Sequence, residues 1–303
     1  MKIVKYRKIF FAISVFTLAL SLAATLFFGL RLSIDFSGGE LFELASQKNI
    51  SKDMIEKEIS DLGLDGVSVR ATNISGTKSA YILRTKVLDK ESKDKLNDFF
   101  EKESLEIKRS ALVGPTVGSE LRKKALVAIA LTILAIIAFV AWAFREVSKP
   151  VKSWYYGLVA ILALVHDILI PLGVFAFLGY FFGAEIDTLF VMALLAILGY
   201  SVNDTIVIFD RIRERLKRNR EKKIKESFED TVGKALDSTI VRSINTSLTT
   251  ALVVLSLYFL GAESTKYFAL TLLAGVLAGT YSSIFLAAPL LPEIAKLQKD
   301  VKE

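Results

Sequence analysis

Apolar and polar positions follow two different rhythms along this chain. Residues 9–30, 125–144, 243–262 and 267–292 carry no charged side chain, 153–183 carries one Asp and one His, and 188–209 carries one Asp. Each stretch reaches the ~20 residues that a helix rising ~1.5 Å per residue needs to cross ~30 Å of hydrocarbon. The pattern predicts six transmembrane helices. It excludes a single water-soluble globule. It also excludes a membrane β-barrel, whose strands would be ~10 residues long with alternating polarity.

The second rhythm belongs to residues 31–124. Residues 40–46 mostly alternate and read as extended. Ser51 is placed to cap a helix running to about Leu62, with Asp53 in its first turn, and Gly63 and Gly66 break it. Residues 67–71 and 80–85 read as a hairpin around the turn signal Ser75-Gly76. Residues 89–102 read as a helix with Leu96, Phe99 and Phe100 on one face, and 105–112 alternates again. The order β-α-β-β-α-β predicts a ferredoxin-like sandwich.

The predicted fold class is therefore an α-helical integral membrane protein: six transmembrane helices with one exported α+β ferredoxin-like domain between helices 1 and 2. Residues 1–30 hold the N-terminus and helix 1, and 31–124 the exported domain with its linkers. Residues 125–292 hold helices 2–6 with a basic loop over 210–242, and 293–303 form the tail.

Composition narrows the chemistry. The absence of cysteine removes disulfides, thiolate metal sites and Cys nucleophiles. A lone His with no His/Glu cluster argues against catalytic zinc, and no phosphate-binding loop is present. No cofactor, no metal and no enzymatic activity are expected. The formal net charge of +7 would suit nucleic acid, but residues 31–124 are nearly neutral, with 17 Lys/Arg against 16 Asp/Glu. The excess flanks the apolar spans, which points to membrane topology instead.

Lys2, Lys5, Arg7 and Lys8 precede the first span, Arg145, Lys149 and Lys152 follow the second, a run from Arg211 to Lys225 follows the fourth, and Lys296, Lys299 and Lys302 close the chain. The alternate short connections are poor in Lys and Arg. The positive-inside rule puts both termini in the cytoplasm and residues 31–124 outside. The first span is too long for a signal-peptide core and lacks a following A-x-A site, so it is expected to remain in place.

Ionisable groups inside the apolar spans carry the functional expectation, because a charge at the bilayer centre costs ~2.5–3.5 kcal/mol on insertion scales. Asp204, after Asn203, lies in the fourth span near its inner end. Arg242 stands at the inner mouth of the fifth, at similar depth. A carboxyl raised by desolvation and lowered by a guanidinium would load and release a proton as it moved between the two environments. The other reading is a static polar clamp. His166-Asp167, halfway along the third span, reads equally as part of a proton relay or as a contact to another helix. Asp187 and Glu185 read as solvated at the outer interface, and the basic run 211–225 as a topology anchor. Gly275 and Gly279 form a GxxxG helix-packing site.

These residues also carry a resemblance. The run GYSVNDTIVIFDRIRE over 199–214 resembles the signature of the SecF family, subunits of the bacterial SecDF protein-export complex. DFSGG at 35–39, GPTVG at 114–118, His166-Asp167, SINTSLTT at 243–250 and YSS at 281–283 resemble further motifs of that family, with Arg242-Ser243 where the family usually has Arg-Thr. The resemblance implies a member of the resistance–nodulation–division superfamily in the bacterial inner membrane. It implies pairing with SecD, assistance to the SecYEG translocon, and use of the proton-motive force to draw preproteins out on the periplasmic side. YajC, YidC and membrane lipids would be further partners, and nucleic acid would not. The family's essential membrane Asp maps to Asp204 and its membrane Arg to Arg242. Two alternatives stay open: a stand-alone proton-coupled exporter of a small solute or lipid, and a structural subunit without proton coupling.

Overall fold

The computed structural model describes residues 2–64, 67–72, 74, 76–144 and 151–300. Arg145, Lys149, Gly66 and Ser75, used above, lie outside the described residues. The chain divides into two compact units. One is built from 31–127 with Glu185–Thr188, the other from 2–30, 128–184 and 189–300.

After the short α1 (Lys2–Lys5) and the apolar α2 (Arg7–Phe28), the chain enters the first of these units. Its elements are α3 (Ile34–Ser37), β1 (Gly39–Ser46), α4 (Lys52–Asp61), β2 (Ser68–Thr72), β3 (Ser79–Thr85), α5 (Lys90–Lys102) and β4 (Glu106–Val113). Local chemistry sets their ends. Ser51 accepts from the Met54 amide at 3.2 Å and Asp89 from the Ser92 amide at 2.9 Å, each satisfying an orphan donor of a first helical turn. The strands form one sheet in the order β2-β3-β1-β4, with every neighbouring pair antiparallel. Glu43 faces Arg109 while Leu44 faces Ile107, so β4 carries a bulge there. Alternate strand positions Phe42, Leu44, Val69, Tyr81 and Leu83 meet Ile55 and Ile59 of α4 and Leu96, Phe99 and Phe100 of α5 in one buried cluster. Period two on the strands and three-to-four spacing on the helices thus converge on a single core.

The glycine-rich motifs at 35–39 and 114–118 pack against each other. Gly38 has φ +75°, and a Cβ there would lie 2.8 Å from the Pro115 Cα. A Cβ on Gly118 would lie 2.8 Å from the Gly38 nitrogen. Only hydrogen at both positions lets the two backbones touch.

The other unit consists of α2 and five further helical stretches. They are α6 (Pro115–Ala143), whose first residues belong to the sheet unit, α7 (Ser153–Phe181), α8 (Thr188–Glu221), α9 (Phe228–Leu260) and the sixth stretch. A 3₁₀ turn (Glu263–Thr265) leads into that last stretch, which comprises α10 (Lys266–Tyr281), a π-helical segment (Ser282–Ala287) and α11 (Ala288–Asp300). Among the described residues, six helices are long and apolar enough to cross a membrane.

The expected basic loop over 210–242 is corrected: α8 continues to Glu221, α9 starts at Phe228, and only 222–227 lies outside regular helix. The reason is amphipathicity. Ile212, Val232, Ala235 and Leu236 are fully buried while Arg213, Lys217, Arg218 and Arg220 are exposed, so these turns have a core to bury against. Ser227 caps α9 by accepting from the Asp230 amide at 3.0 Å. Glu226 then closes the hairpin, accepting from Asn219 at 2.7 Å, Thr231 at 2.9 Å and Lys234. Buried Arg7 donates to Val4 O at 2.7 Å, to Glu229 at the start of α9 and to Glu293 of α11. The N-terminus, the α8–α9 hairpin and the last helix therefore share one end of the bundle.

Candidate functional site

The polar groups of the bundle gather where α7, α8, α9 and the π segment meet. Ser and Thr at helical spacing on apolar helices supply the donors. Ser201 and Thr205 line one face of α8, Ser243 and Ser247 one face of α9, and all four are buried. Helical spans tolerate such hydroxyls because they bond to each other or to backbone carbonyls one turn back.

Asp167 is fully buried and fully partnered. Its Oδ2 accepts from Ser201 and, at 2.7 Å, from Ser282, and its Oδ1 lies 2.9 Å from His166 Nδ1. The His166 ring stacks on Tyr281 at 5.9 Å, and its Nε2 is buried without a hydrogen-bond partner among the described residues. The π segment matters here. Its wider turn lets Ser282 reach Asp167 while the adjacent Ser283 reaches Thr205 at 2.8 Å.

Asp204 is held differently. Its Oδ1 accepts from Ser243 of α9 at 2.5 Å, whereas its Oδ2 is buried and has no hydrogen-bond partner among the described residues. Arg242 directly precedes that serine, so the guanidinium is borne by the turn that holds the carboxylate. Its side chain is nevertheless exposed, and it makes no ion pair with Asp204 among the described residues. Asn203 is exposed on α8 and makes no hydrogen bond among the described residues. Of the four residues expected in a relay, the fold gives Asp167 two serine hydroxyls and Asp204 one, and leaves Arg242 and Asn203 exposed.

Gly275 and Gly279 lie buried on α10 against α8. A Cβ on Gly275 would fall 2.2 Å from the Ile197 side chain, and one on Gly279 3.0 Å from the Ser201 Cβ. This face is filled by the chain's own helix, and it is not open to a second subunit. A backbone-to-backbone approach occurs at a position outside any GxxxG pattern: a Cβ on Gly173 of α7 would lie 2.5 Å from the Ser21 Cα of α2.

The acidic residues between α7 and α8 are also corrected. Glu185 is not simply solvated. Its side chain is 10% exposed and pairs with Arg70 at 3.1 Å and with Arg84. Burial pushes the Arg84 guanidinium down to about 10, and neighbouring Arg70 adds to this, while Asp187 and Asp35 pull it back up, so it stays cationic at neutral pH. Sequence reading missed these pairs because the residues are 115 positions apart for Arg70 and Glu185. It missed the hydroxyl partners because serine and threonine in apolar spans read as filler.

Comparison with known proteins adds a separate line of support. Residues 91–297 match the family model described as "Protein export membrane protein SecD/SecF, C-terminal". The protein translocase subunit SecF of Thermobaculum terrenum is 40% identical over 95% of this chain and 92% of that protein. The SecF subunit of Sebaldella termitidis is 35% identical over 100% of this chain and 94% of its own length. A crystal structure of SecDF from Thermus thermophilus, titled a translocon-associated membrane protein, superposes with a TM-score of 0.82 at 28% identity. It covers 99% of this chain, which spans 39% of that longer one.

Proposed function

Because the chain belongs to the SecD/SecF family of protein-export membrane proteins, we propose that it is the SecF-type half of a SecDF assembly, a multi-pass accessory subunit of Sec-dependent export that uses a proton gradient. A SecD-type half is its direct partner, since this chain aligns with only part of a SecDF chain. SecYEG and the exported preprotein are the partners that reading carries with it, with YajC, YidC and membrane lipids further out. The bacterial inner membrane is the location, with both termini in the cytoplasm. Arg7 supports that orientation by tying the N-terminus to the end of the bundle that bears the basic α8–α9 hairpin. The sheet unit is then periplasmic. Its βαββαβ order and 2-3-1-4 strand arrangement support the ferredoxin-like reading.

One observation carries the proton role: the unpartnered, buried Oδ2 of Asp204. A buried polar atom without a partner calls for an explanation, and a carboxyl that alternates between ionised and protonated forms supplies one. Ser243 holds one oxygen in either form, and the second is free to accept a proton or to meet Arg242 after a modest rearrangement. A static clamp would be expected to satisfy both oxygens, as Asp167 does. Asp167 and His166 then form the fixed polar floor of the site, linked to Asp204 through the Ser201–Thr205 face of α8. The exposed face bearing Asn203 and Arg242 is where the SecD half seats.

The test is reconstitution of this chain with its SecD-type partner and SecYEG in proteoliposomes. Preprotein release is expected to rise when a proton gradient is imposed, and to stay flat when this chain is omitted. Equal release with and without the chain would overturn the assignment.

A further inference from the structure

The apolar spans and their carboxylate say where a proton could act, but not how that event reaches the sheet unit. Four residues of the α7–α8 connection, Glu185–Thr188, belong to the sheet unit. They are fastened there at successive positions. Glu185 pairs with Arg70 of β2 and Arg84 of β3. Ile186 donates its amide to Arg31 O at 2.7 Å and accepts from the Ser33 amide at 2.9 Å, forming a parallel bridge to Leu32. Asp35 Oδ2 accepts from the Thr188 amide at 3.1 Å and from its hydroxyl at 2.9 Å. Thr188 is the first residue of α8, so Asp35 satisfies one of the orphan amide donors of that helix's first turn from outside the helix.

The same helix carries Asp204, sixteen residues on, or roughly 24 Å at helical rise. No proline interrupts α8, whereas α7 contains Pro171.

We infer that Asp35, Glu185, Arg70 and Arg84 form a coupling joint that holds Thr188, the first residue of α8, within the sheet unit, so that displacement of α8 by a change at Asp204 is delivered to that unit at Thr188. Asp35 and Glu185 are positioning residues acting through α8. The joint stays shut throughout the cycle. This inference rests on the proton-driven reading above.

The absence of native cysteine makes the test clean. In the full chain with its SecD-type partner, the bridged pair Leu32→Cys and Ile186→Cys, which leaves Asp35, Glu185, Arg70, Arg84 and Thr188 in place, should crosslink on mild oxidation. The crosslinked protein should keep gradient-driven preprotein release within twofold of the uncrosslinked form. Loss of release on crosslinking, reversed when the single-Cys proteins are treated alike without loss, would show that the joint opens and overturn the proposal. The double variant Asp35→Ala/Glu185→Ala should lose at least fivefold of the gradient-driven increment while SecD recovery is unchanged, and Asp35→Asn, which keeps an acceptor for the Thr188 amide, should retain most of it. Wild-type increment in the double variant would overturn the proposal. If the double variant fails to assemble, the crosslinking result decides alone. Crosslink yield should also be the same in an Asp204→Asn background, a readout independent of export. An inactive joint with a normal Asp204 response would sink the joint, and a normal gradient response in Asp204→Asn would sink the proton role instead.

Discussion

Replacing Gly173 by alanine should destabilise the bundle more than the same change at Gly279, the second glycine of the GxxxG pair. A Cβ at Gly173 would lie 2.5 Å from both Cα and Cβ of Ser21 and 2.8 Å from Ser21 O. Two of those three atoms are backbone and cannot rotate away. Restoring ordinary contact at 3.4 Å requires α2 to retreat by about 0.9 Å. A gap of ~0.5–1 Å forfeits a quarter to a half of each dispersion contact it opens, and overpacking of a tight interface costs ~1–3 kcal/mol. Between apolar helices in lipid no hydrophobic term offsets that loss. Alanine recovers ~1 kcal/mol of helix propensity over glycine. The net cost should reach up to about 2 kcal/mol, as much as roughly thirtyfold in the unfolding equilibrium. At Gly275 a Cβ would meet Cδ1 of Ile197 at 2.2 Å and both of its γ carbons within 2.8 Å, so Gly275→Ala should destabilise as well, whereas at Gly279 the nearest atom is 3.0 Å away. Gly279→Ala should therefore be neutral or slightly stabilising. Equilibrium unfolding in mixed micelles titrated with dodecyl sulfate, followed by tryptophan fluorescence, reads all three. A Gly173→Ala variant no less stable than Gly279→Ala would refute the reasoning.

Other consequences can be checked directly. Single cysteines at Lys102 and Lys222, both exposed, should react with an impermeant maleimide from opposite sides, Lys102→Cys from outside and Lys222→Cys from inside; the reverse pattern would invert the topology. Residues 39–112 expressed alone should fold with a mixed α/β circular dichroism spectrum, because their apolar core is self-contained, and an all-helical or coil spectrum would contradict it. Lys234, followed by Asn219 and Thr231, holds the Glu226 carboxyl down at about 2, against the opposing pull of desolvation. Its folded value lies below the unfolded one, so its stabilisation is present above the ordinary glutamate range and is lost as pH falls through about 2. The melting-temperature gap between wild type and Glu226→Gln should be constant from pH 7 to pH 5 and vanish near pH 2. A gap that persists there would show that the Lys234 pairing does not set it.

Much of this architecture was legible in the chain itself. Uncharged runs of membrane length announced the six spans, and Ser51, Asp89 and the alternation around Phe42 and Leu83 outlined the sheet unit because caps and period-two patterns are local signals. The course of 210–242 was misread because lysine and arginine dominate its composition, while the buried face made by Ile212, Val232 and Leu236 is sparse and shows only when two helices pair. For the site, Asp204 and Asp167 stood out since charge in an apolar run is costly, but their partners did not. Ser243, Ser201 and Ser282 come from other helices, and the π segment that turns Ser282 inward has no signal in a continuous apolar stretch. Gly173 was likewise invisible, since a single glycine between apolar neighbours matches no pattern until α2 lies against it.

The most direct measurement of the central claim is the gradient-dependent increment of preprotein release by Asp204→Asn. This substitution removes the titrating group at nearly constant volume and leaves an oxygen for Ser243 to bond. Proteoliposomes holding SecYEG, the SecD-type partner and this variant would be compared with wild type, with and without an imposed proton gradient, after equal insertion and SecD recovery are verified. The account predicts that the variant's release does not respond to the gradient, that Asp204→Glu keeps part of the response, and that Arg242→Lys, which keeps the charge but loses the planar fork, falls between them. A wild-type response in Asp204→Asn would contradict the account and leave Asp204 as a fixed polar contact between α8 and α9.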